Sequence, residues 1–164
     1  MARKVNEKEY AAKLNDILDT TEHLIYTKGY EQISIQDILA LQHISKGAFY
    51  HYFASKLQLI EALTERMIDQ SLQFINPIVD NPDLNAIEKM QHYSISVARW
   101  KTTRKSLLLS ILPVWYHDDN LVMRQKVIRK GKEQMLPMFV RMIRQGVDER
   151  LFNTPYPEQA AEFI

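Results

Sequence analysis

Apolar residues recur at intervals of three and four along most of the chain, the spacing that lays one stripe down a helix. Ala11, Leu14, Ile17, Leu18, Thr21, Leu24 and Ile25 form the first stripe, predicting an amphipathic helix of about five turns. Lys28-Gly29 ends it, with Gly29 as a left-handed cap. Ser34 to Leu41 predicts a short second helix, capped by Ser34 and with Asp37 in the first turn, where a carboxylate suits the helix dipole. Ser45 opens a third, in which Phe49 and Phe53 share one face at i, i+4 spacing and Ile44 precedes the cap as a staple. With Tyr30, Ile33, Ile35 and Ile38 these rings are the expected core of a three-helix unit.

Ser55 offers the cap of a fourth helix, carried by Leu59, Ile60, Leu63, Met67, Ile68, Ser71, Leu72 and Ile75 as far as Asn76-Pro77. The passage from Asn76 to Asp83 holds Pro77, Pro82 and several turn formers and is the best boundary in the chain. Asp83 is expected to cap a helix through Ala86, Ile87, Met90, Tyr93, Ser94, Val97 and Trp100, interrupted at Lys101 to Arg104. A short segment from Ser106 ends at Pro113. Asp118-Asp119 opens a long helix through Leu121, Val122, Val127, Met135, Met138, Phe139, Met142 and Ile143, kinked at Pro137 and stopping near Gly146. Pro155, Pro157 and Glu158 start a last helix whose apolar face would hold Ala160, Ala161, Phe163 and Ile164. No period-2 run supports a strand, so the expected fold class is all-α.

Composition narrows the function classes. The chain has 164 residues, 46% hydrophobic and 25% charged, enough for one substantial core. With no cysteine, disulfides, thiolate metal sites and cysteine nucleophiles are excluded. No apolar run approaches the roughly 20 residues of a membrane span, and the N-terminus lacks the apolar core of a signal peptide, so a soluble, cytoplasmic protein is expected. No Gly-rich phosphate loop, His-Glu-x-x-His run or Gly-x-Ser-x-Gly elbow is present, and Glu61, Glu65 and Asp69 fall on the outer side of a helix, so catalysis, a cofactor and a metal are not expected.

The net charge of +1 hides an uneven distribution. Residues 1–56 carry seven Lys/Arg and seven Asp/Glu, residues 57–98 two and six, and residues 99–150 twelve and five. Yet from Ile38 through Ile60 there is no acid, and Lys46, Lys56, His43 and His51 cluster there. A polyanion responds mainly to charges within a Debye length of about 8 Å, so a local acid-free surface matters more than the balance of the whole unit. With Phe49 and Phe53 turned inward, Lys46, Gly47, Ala48, Tyr50, His51 and Tyr52 face outward, mixing small residues that permit close approach with donors for phosphates and base edges. Two short helices joined by Gln42 to Ile44 constitute a helix-turn-helix, whose second helix enters the major groove. The plain alternative is a solvated surface helix without a partner.

The run from Lys28 to Leu59, and within it Ile-Ser-Lys-Gly-Ala-Phe-Tyr-His-Tyr-Phe-Ala-Ser-Lys, resembles the DNA-binding domain of TetR-family (tetracycline-repressor-like) transcriptional regulators. The resemblance implies a DNA-binding domain at residues 1–54, with residues 1–9 a flexible arm carrying Arg3 and Lys4, and a helical effector-binding body at 55–164. It implies that Ser34 and Gln36 meet DNA from the first helix of the pair. Lys46, Gly47, Ala48 and His51 would face base edges, with Ser45 at the cap, while Tyr52 and Lys56 would hold phosphates and Tyr50 either a phosphate or a base edge. Two positions depart from the family pattern: His43 and Arg150 stand where glycine is common, and glycine is the residue that takes positive φ without cost.

The resemblance further implies a homodimer on a palindromic double-stranded DNA operator, acting in most relatives as a repressor released by a small-molecule effector. Met90, Tyr93, Trp100, Trp115, Tyr116, Met138 and Met142 are the candidate pocket residues, although Met and aromatic stripes at helical spacing commonly are plain core. His92 and His117 could orient a ligand, and the basic excess from Arg99 to Arg150 could attract an anion or be a solvated face. A second reading is a co-regulator of the same fold acting through a protein partner; a third is a helical small-molecule-binding protein or enzyme. Relatives continue with two long helices that pair across the dimer. A chain that stops in an apolar stripe at Ile164 is therefore expected to be a fragment that dimerises weakly.

Overall fold

The computed structural model describes residues 7–164. Residues 1–6 of the expected arm, with Arg3 and Lys4, lie outside the described residues, whereas Glu7 to Glu9, expected in that arm, form the first turn of α1. Eight α-helices follow one another, and no strand occurs among the described residues. They are α1 (Glu7–Lys28), α2 (Ile35–Gln42), α3 (Lys46–Tyr52), α4 (Lys56–Val79), α5 (Ala86–Thr103), α6 (Lys105–Tyr116), α7 (Leu121–Asp148) and α8 (Pro157–Ala161). Single 3₁₀ turns at Tyr30–Gln32 and Asp118–Asn120 precede α2 and α7.

The chain divides into two compact units, the first running to Thr64 and including Ser106–Leu121, the second comprising Glu65–Lys105 and Val122–Ile164. The expected stripe of α1 is the buried one: Ile17, Leu18, Thr21, Leu24 and Ile25 are all inside, the Thr21 hydroxyl donating to Ile17 O at 2.7 Å. Ile33, Ile38, Leu39, Phe49 and Phe53 complete this burial with Leu59, Ile60 and Leu63 from α4 and Leu107, Ile111 and Val114 from α6. Ala11, expected in the core, is exposed and Leu14 half-buried, because the α1 stripe reaches cover only from Ile17; Tyr30 and Ile35 are also only half-buried.

In the second unit Ile75 and Val79 of α4, Met138, Phe139, Met142 and Ile143 of α7 and Ala161 of α8 form one buried cluster. Polar pairs set the directions of the helices around it. Glu65–Lys130 (2.7 Å), Asp69–Gln134 (2.9 Å) and Asp80–Arg141 (2.6 Å) advance together, so α4 and α7 run parallel. Ala86–Glu149 (2.8 Å) and Lys89–Gln145 (2.7 Å) advance oppositely, so α5 is antiparallel to α7. Apart from Lys89, which is buried, these side chains are partly or fully exposed, and the value of the exposed pairs lies in register more than in energy.

The structure corrects several expected boundaries. Pro77 and Pro113 do not end their helices; like Pro137, each lies inside one. All three prolines are exposed, as are Gln73, Leu109 and Glu133, whose carbonyls lose the i−4 bond and can meet water. Buried neighbours on the opposite face, Ile75 and Val79, Ile111 and Val114, Met138 and Phe139, hold each helix across its proline. Asn85 rather than Asp83 caps α5, in a reciprocal box with Glu88. Asp83 instead closes a turn, its N–H donating to Asn81 Oδ1 at 2.9 Å. Lys101 does not interrupt α5, which ends at Thr103. Gly29 has positive φ (79°) but ψ 152°, outside the left-handed helical region expected for it.

The departure at Arg150 resolves into a chain reversal after α7. Arg150 takes φ 60°, and the N–H groups of Leu151 and Phe152 both donate to Gly146 O, at 2.8 and 2.9 Å. This folds the Phe152 ring against Gly146, where a Cβ would sit 2.0 Å from it. Beyond α8, Phe163 and Ile164 are exposed rather than packed.

Replacing Phe49 (0% exposed) or Phe53 (2%) with alanine is expected to cost about 3–5 kcal/mol, the range for deleting buried aromatics. Thermal or urea denaturation checks this, and near-native stability in both variants would mean that neither ring anchors α3.

Candidate nucleic-acid interface

The pair of helices is assembled from local rules that each leave a mark in the structure. Ser34 caps α2: its hydroxyl accepts from Asp37 N at 3.2 Å, and Asp37 Oδ2 accepts from Ser34 N at 2.8 Å. The Ser34 hydroxyl donates to the same carboxylate at 2.7 Å, so its proton is committed within the protein. Lys28 reaches Asp37 from the end of α1 at 2.8 Å. These bonds, Lys28 first and then Ser34, hold the Asp37 carboxyl well below the usual carboxylate range.

At the far end of α2, Gln42 is gripped by α1. Lys13 Nζ donates to its Oε1 at 2.8 Å, and its Nε2 donates to Asp16 O at 2.9 Å and to the Thr20 hydroxyl. His43 then takes the left-handed conformation, φ 50° and ψ 42°, at the position where the family resemblance suggested glycine. The turn is therefore made at a cost of order 1 kcal/mol. Ile44 N donates to Leu39 O at 3.2 Å, closing the turn, and the Ser45 hydroxyl accepts from Ala48 N at 3.1 Å to begin α3.

Phe49 and Phe53 point inward with ring centroids 5.8 Å apart, so the opposite side of α3 is the outward one. Lys46, Gly47, Tyr50 and His51 are exposed there, with Ala48 and Tyr52 half-buried. A Cβ on Gly47 would meet only Ser45 Oγ, at 3.9 Å, so no neighbour within the protein requires glycine at this point. The Lys46 ammonium sits 6.0 Å from the Tyr50 ring centroid, and Tyr50 meets Phe49 edge-on at 5.6 Å. Gln36 is exposed on α2. Lys56, expected at a phosphate, turns toward Tyr30, donating to its carbonyl at 2.8 Å with the ammonium 4.0 Å from its ring centroid. Burial there lowers the Lys56 pKa, although the Glu31 and Asp37 charges act against the shift.

One neighbour of this face was not anticipated from the sequence. Tyr10 of α1 stacks on Tyr52 at 4.8 Å and meets His51 edge-on at 5.7 Å. The signal was present, since Tyr10 lies four and seven residues before Leu14 and Ile17 of the buried stripe.

The expected effector residues are dispersed. Met138 and Met142 are buried core, with Met90 and Tyr93 packed against their cluster and Tyr93 edge-on to Phe139 at 5.0 Å. Burial raises the Tyr93 hydroxyl pKa. Trp100 stands further along α5 with Arg104 5.4 Å over its ring, and its buried Nε1 makes no hydrogen bond. Trp115 and Tyr116 belong to the first unit, Tyr116 being exposed. An open groove of about 520 Å³ in the second unit is lined by Ile87, Met90, Gln91, Ser94, Ile95 and Phe152, of which Met90 alone was expected. His92 and His117 are exposed. Among the described residues no group of His, Asp or Glu could hold a metal ion, and no helix is long and apolar enough to cross a membrane.

A first unit with a buried aromatic anchor, a left-handed turn and an acid-free exposed second helix is a helix-turn-helix domain. Residues 17–63 match the domain described as bacterial regulatory proteins, tetR family. The HTH-type transcriptional regulator YvaF of Bacillus subtilis, itself uncharacterised, is 33% identical over 102 residues, covering 62% of this chain and 53% of YvaF. EthR of Mycobacterium tuberculosis, also an HTH-type transcriptional regulator, is 31% identical over 81 residues, 49% of this chain and 38% of EthR. The chain thus spans about half or less of the length of these relatives. Reduced NemR of Escherichia coli superposes with TM-score 0.66 at 19% identity, over 92% of this chain and 80% of NemR. GusR of Salmonella enterica does so with TM-score 0.71 at 17% identity, over 93% and 77%. Residues 17–63 therefore carry a domain of the tetR family of bacterial regulatory proteins.

The depressed Asp37 pKa sets a pH dependence. A carboxylate whose folded pKa lies below its unfolded value of about 3.9 contributes stability above that value and loses it as pH falls further. Asp37→Asn should therefore melt below the wild type at pH 7, with the gap narrowing steadily as pH falls below about 4. Melting curves across that range test it; a gap unchanged down to pH 2 would separate the cap from the charge of Asp37.

Proposed function

We propose that the chain is a sequence-specific DNA-binding transcriptional regulator that lays α3 in the major groove of an operator. The observation that carries this is the outward face of α3, exposed, free of acids and bare of side chain at Gly47, on a helix fixed from behind by Phe49 and Phe53. Lys46 and His51 supply donors to base edges, and Gly47 and Ala48 allow the backbone to approach. Tyr50, Tyr52 and Lys56 meet phosphates, Lys56 with the donors not given to Tyr30. Gln36 reaches the same groove from α2. Ser34 meets a phosphate only on releasing the proton it gives Asp37.

In this reading the protein acts as a homodimer, presenting two copies of α3 about 34–36 Å apart to half-sites one helical turn from each other. It represses, and a small molecule bound by the helical body releases it by favouring a different spacing of the two reading helices. A ligand shifts such an equilibrium only by its differential affinity for the two spacings. The named functions of EthR and YvaF as transcriptional regulators support the class, and the repressor sense is this proposal's own extension.

Selection of bound sequences from a random duplex pool at fixed salt tests the reading, because protein–DNA affinities mean little without the salt concentration. A palindromic motif is expected. Lys46→Ala and His51→Ala should relax it at particular base pairs, by about 1–3 kcal/mol for each direct contact, whereas Lys56→Ala should weaken all sequences alike. If Lys46→Ala and His51→Ala both leave motif and affinity unchanged, α3 is not the reading element. Failure to enrich any motif would favour a co-regulator that works through a protein partner.

A further inference from the structure

The three rings of Tyr10, His51 and Tyr52 form a closed contact between α1 and α3. Tyr10 stacks on Tyr52 at 4.8 Å with 30° between the planes, and meets His51 at 5.7 Å and 84°. His51 and Tyr52 meet each other at 5.3 Å and 81°. Each pair falls within the 4.5–7 Å range and the offset-stacked or edge-on geometry in which aromatic rings attract. Tyr10 is half-buried, so its ring is not part of the buried core beneath α3. The same stretch of α1 holds the other side of the turn, through Lys13, Asp16 and Thr20 on Gln42. One flank of α1 therefore grips both helices of the pair.

An exposed histidine on a two-turn helix has free rotamers, and a side chain ordered only on binding spends affinity on its own immobilisation. A ring that orders it beforehand removes that cost and restricts where its ring nitrogens can point. We infer that Tyr10 is a positioning residue for sequence reading: it fixes His51 and Tyr52 on α3 before DNA arrives, so discrimination at the base pairs His51 addresses depends on a residue of α1. This rests on the DNA-reading role proposed for α3. It adds a determinant outside the helix-turn-helix, carried by the face of the ring and not by the Tyr10 hydroxyl.

The test measures affinity of the full chain for the selected duplex and its single base-pair variants at fixed salt. Tyr10→Phe keeps the ring and should discriminate as the wild type does. Tyr10→Leu keeps apolar cover without a ring, and should lose about two- to tenfold in discrimination, confined to the base pairs sensitive to His51→Ala. The double variant Tyr10→Leu/His51→Ala should discriminate no worse than His51→Ala alone. Tyr10→Leu with intact discrimination, a uniform loss across all duplexes, losses that add in the double variant, or unfolding of Tyr10→Leu would each overturn the inference. If neither Lys46→Ala nor His51→Ala alters discrimination, the reading role of α3 itself has failed and this inference with it. Intact effects of those two variants beside an inert Tyr10→Leu refute the positioning role alone.

Discussion

Everything on the outward face of α3 depends on the burial of Phe49 beneath it. A helix of seven residues is too short to persist in water on its own hydrogen bonds, because the nucleation cost is spread over too few turns. Its conformation has to be supplied by what it packs on. Phe49 within α3 and Phe53 at its end are both fully enclosed, and between them they fix the rotation of the helix about its axis. Once that rotation is set, Lys46, Gly47, Tyr50 and His51 face solvent by geometry alone, since they occupy the remaining angles of a 3.6-residue turn. The Ser45 cap adds the smaller share, typically about 1 kcal/mol, and places the start of the helix.

The same burial accounts for the left-handed residue in the turn. His43 pays for a conformation that glycine would adopt freely, at a cost of order 1 kcal/mol. That cost is small beside the several kcal/mol of burying one phenylalanine, so the rings impose the turn whatever residue stands in it. The Gln42 clamp to α1 acts in the same direction by fixing the last residue of α2 before the turn begins. Arg150 repeats the pattern after α7, where the Phe152 ring against Gly146 holds a non-glycine residue at φ 60°.

What was legible in the sequence was whatever one periodicity or one cap decides. The buried face of α1, the Ser34 and Ser45 caps and the inward turn of Phe49 and Phe53 all follow from spacing within a single element. The prolines misled because their local effect on a helix is overridden by partners distant in sequence: Ile75 and Val79 are held by α7 residues more than fifty positions later. Tyr10 and the inward-turned Lys56 escaped for the same reason, each being defined by a ring or carbonyl on another element. The expected effector residues are the least decided by pattern, because methionine and aromatic residues at helical spacing look alike in a core and in a pocket wall. Met138 and Met142 proved to be core, while the groove along α5 is lined by residues such as Gln91 and Ser94 that no apolar pattern selects.

The electrostatics of the first unit can be reconciled with a polyanionic partner through Asp37. It is the acid that borders the acid-free stretch at its start, next to Ile38. Lys28 sits on it at 2.8 Å, and Ser34 supplies two further donors. A carboxylate paired this closely acts on a distant charge as a dipole, whose field falls faster with distance than that of a single ion. Screening over about 8 Å shortens its reach further. Lys46, exposed on α3 with no ion pair of its own among the described residues, keeps a full positive charge toward solvent. The helix-turn-helix therefore presents a locally positive face although the formal charges of residues 1–56 balance, and Ser34, which helps to neutralise Asp37, also caps α2. Cap and charge pattern are one arrangement, and Asp37 could not be repositioned to improve one without undoing the other.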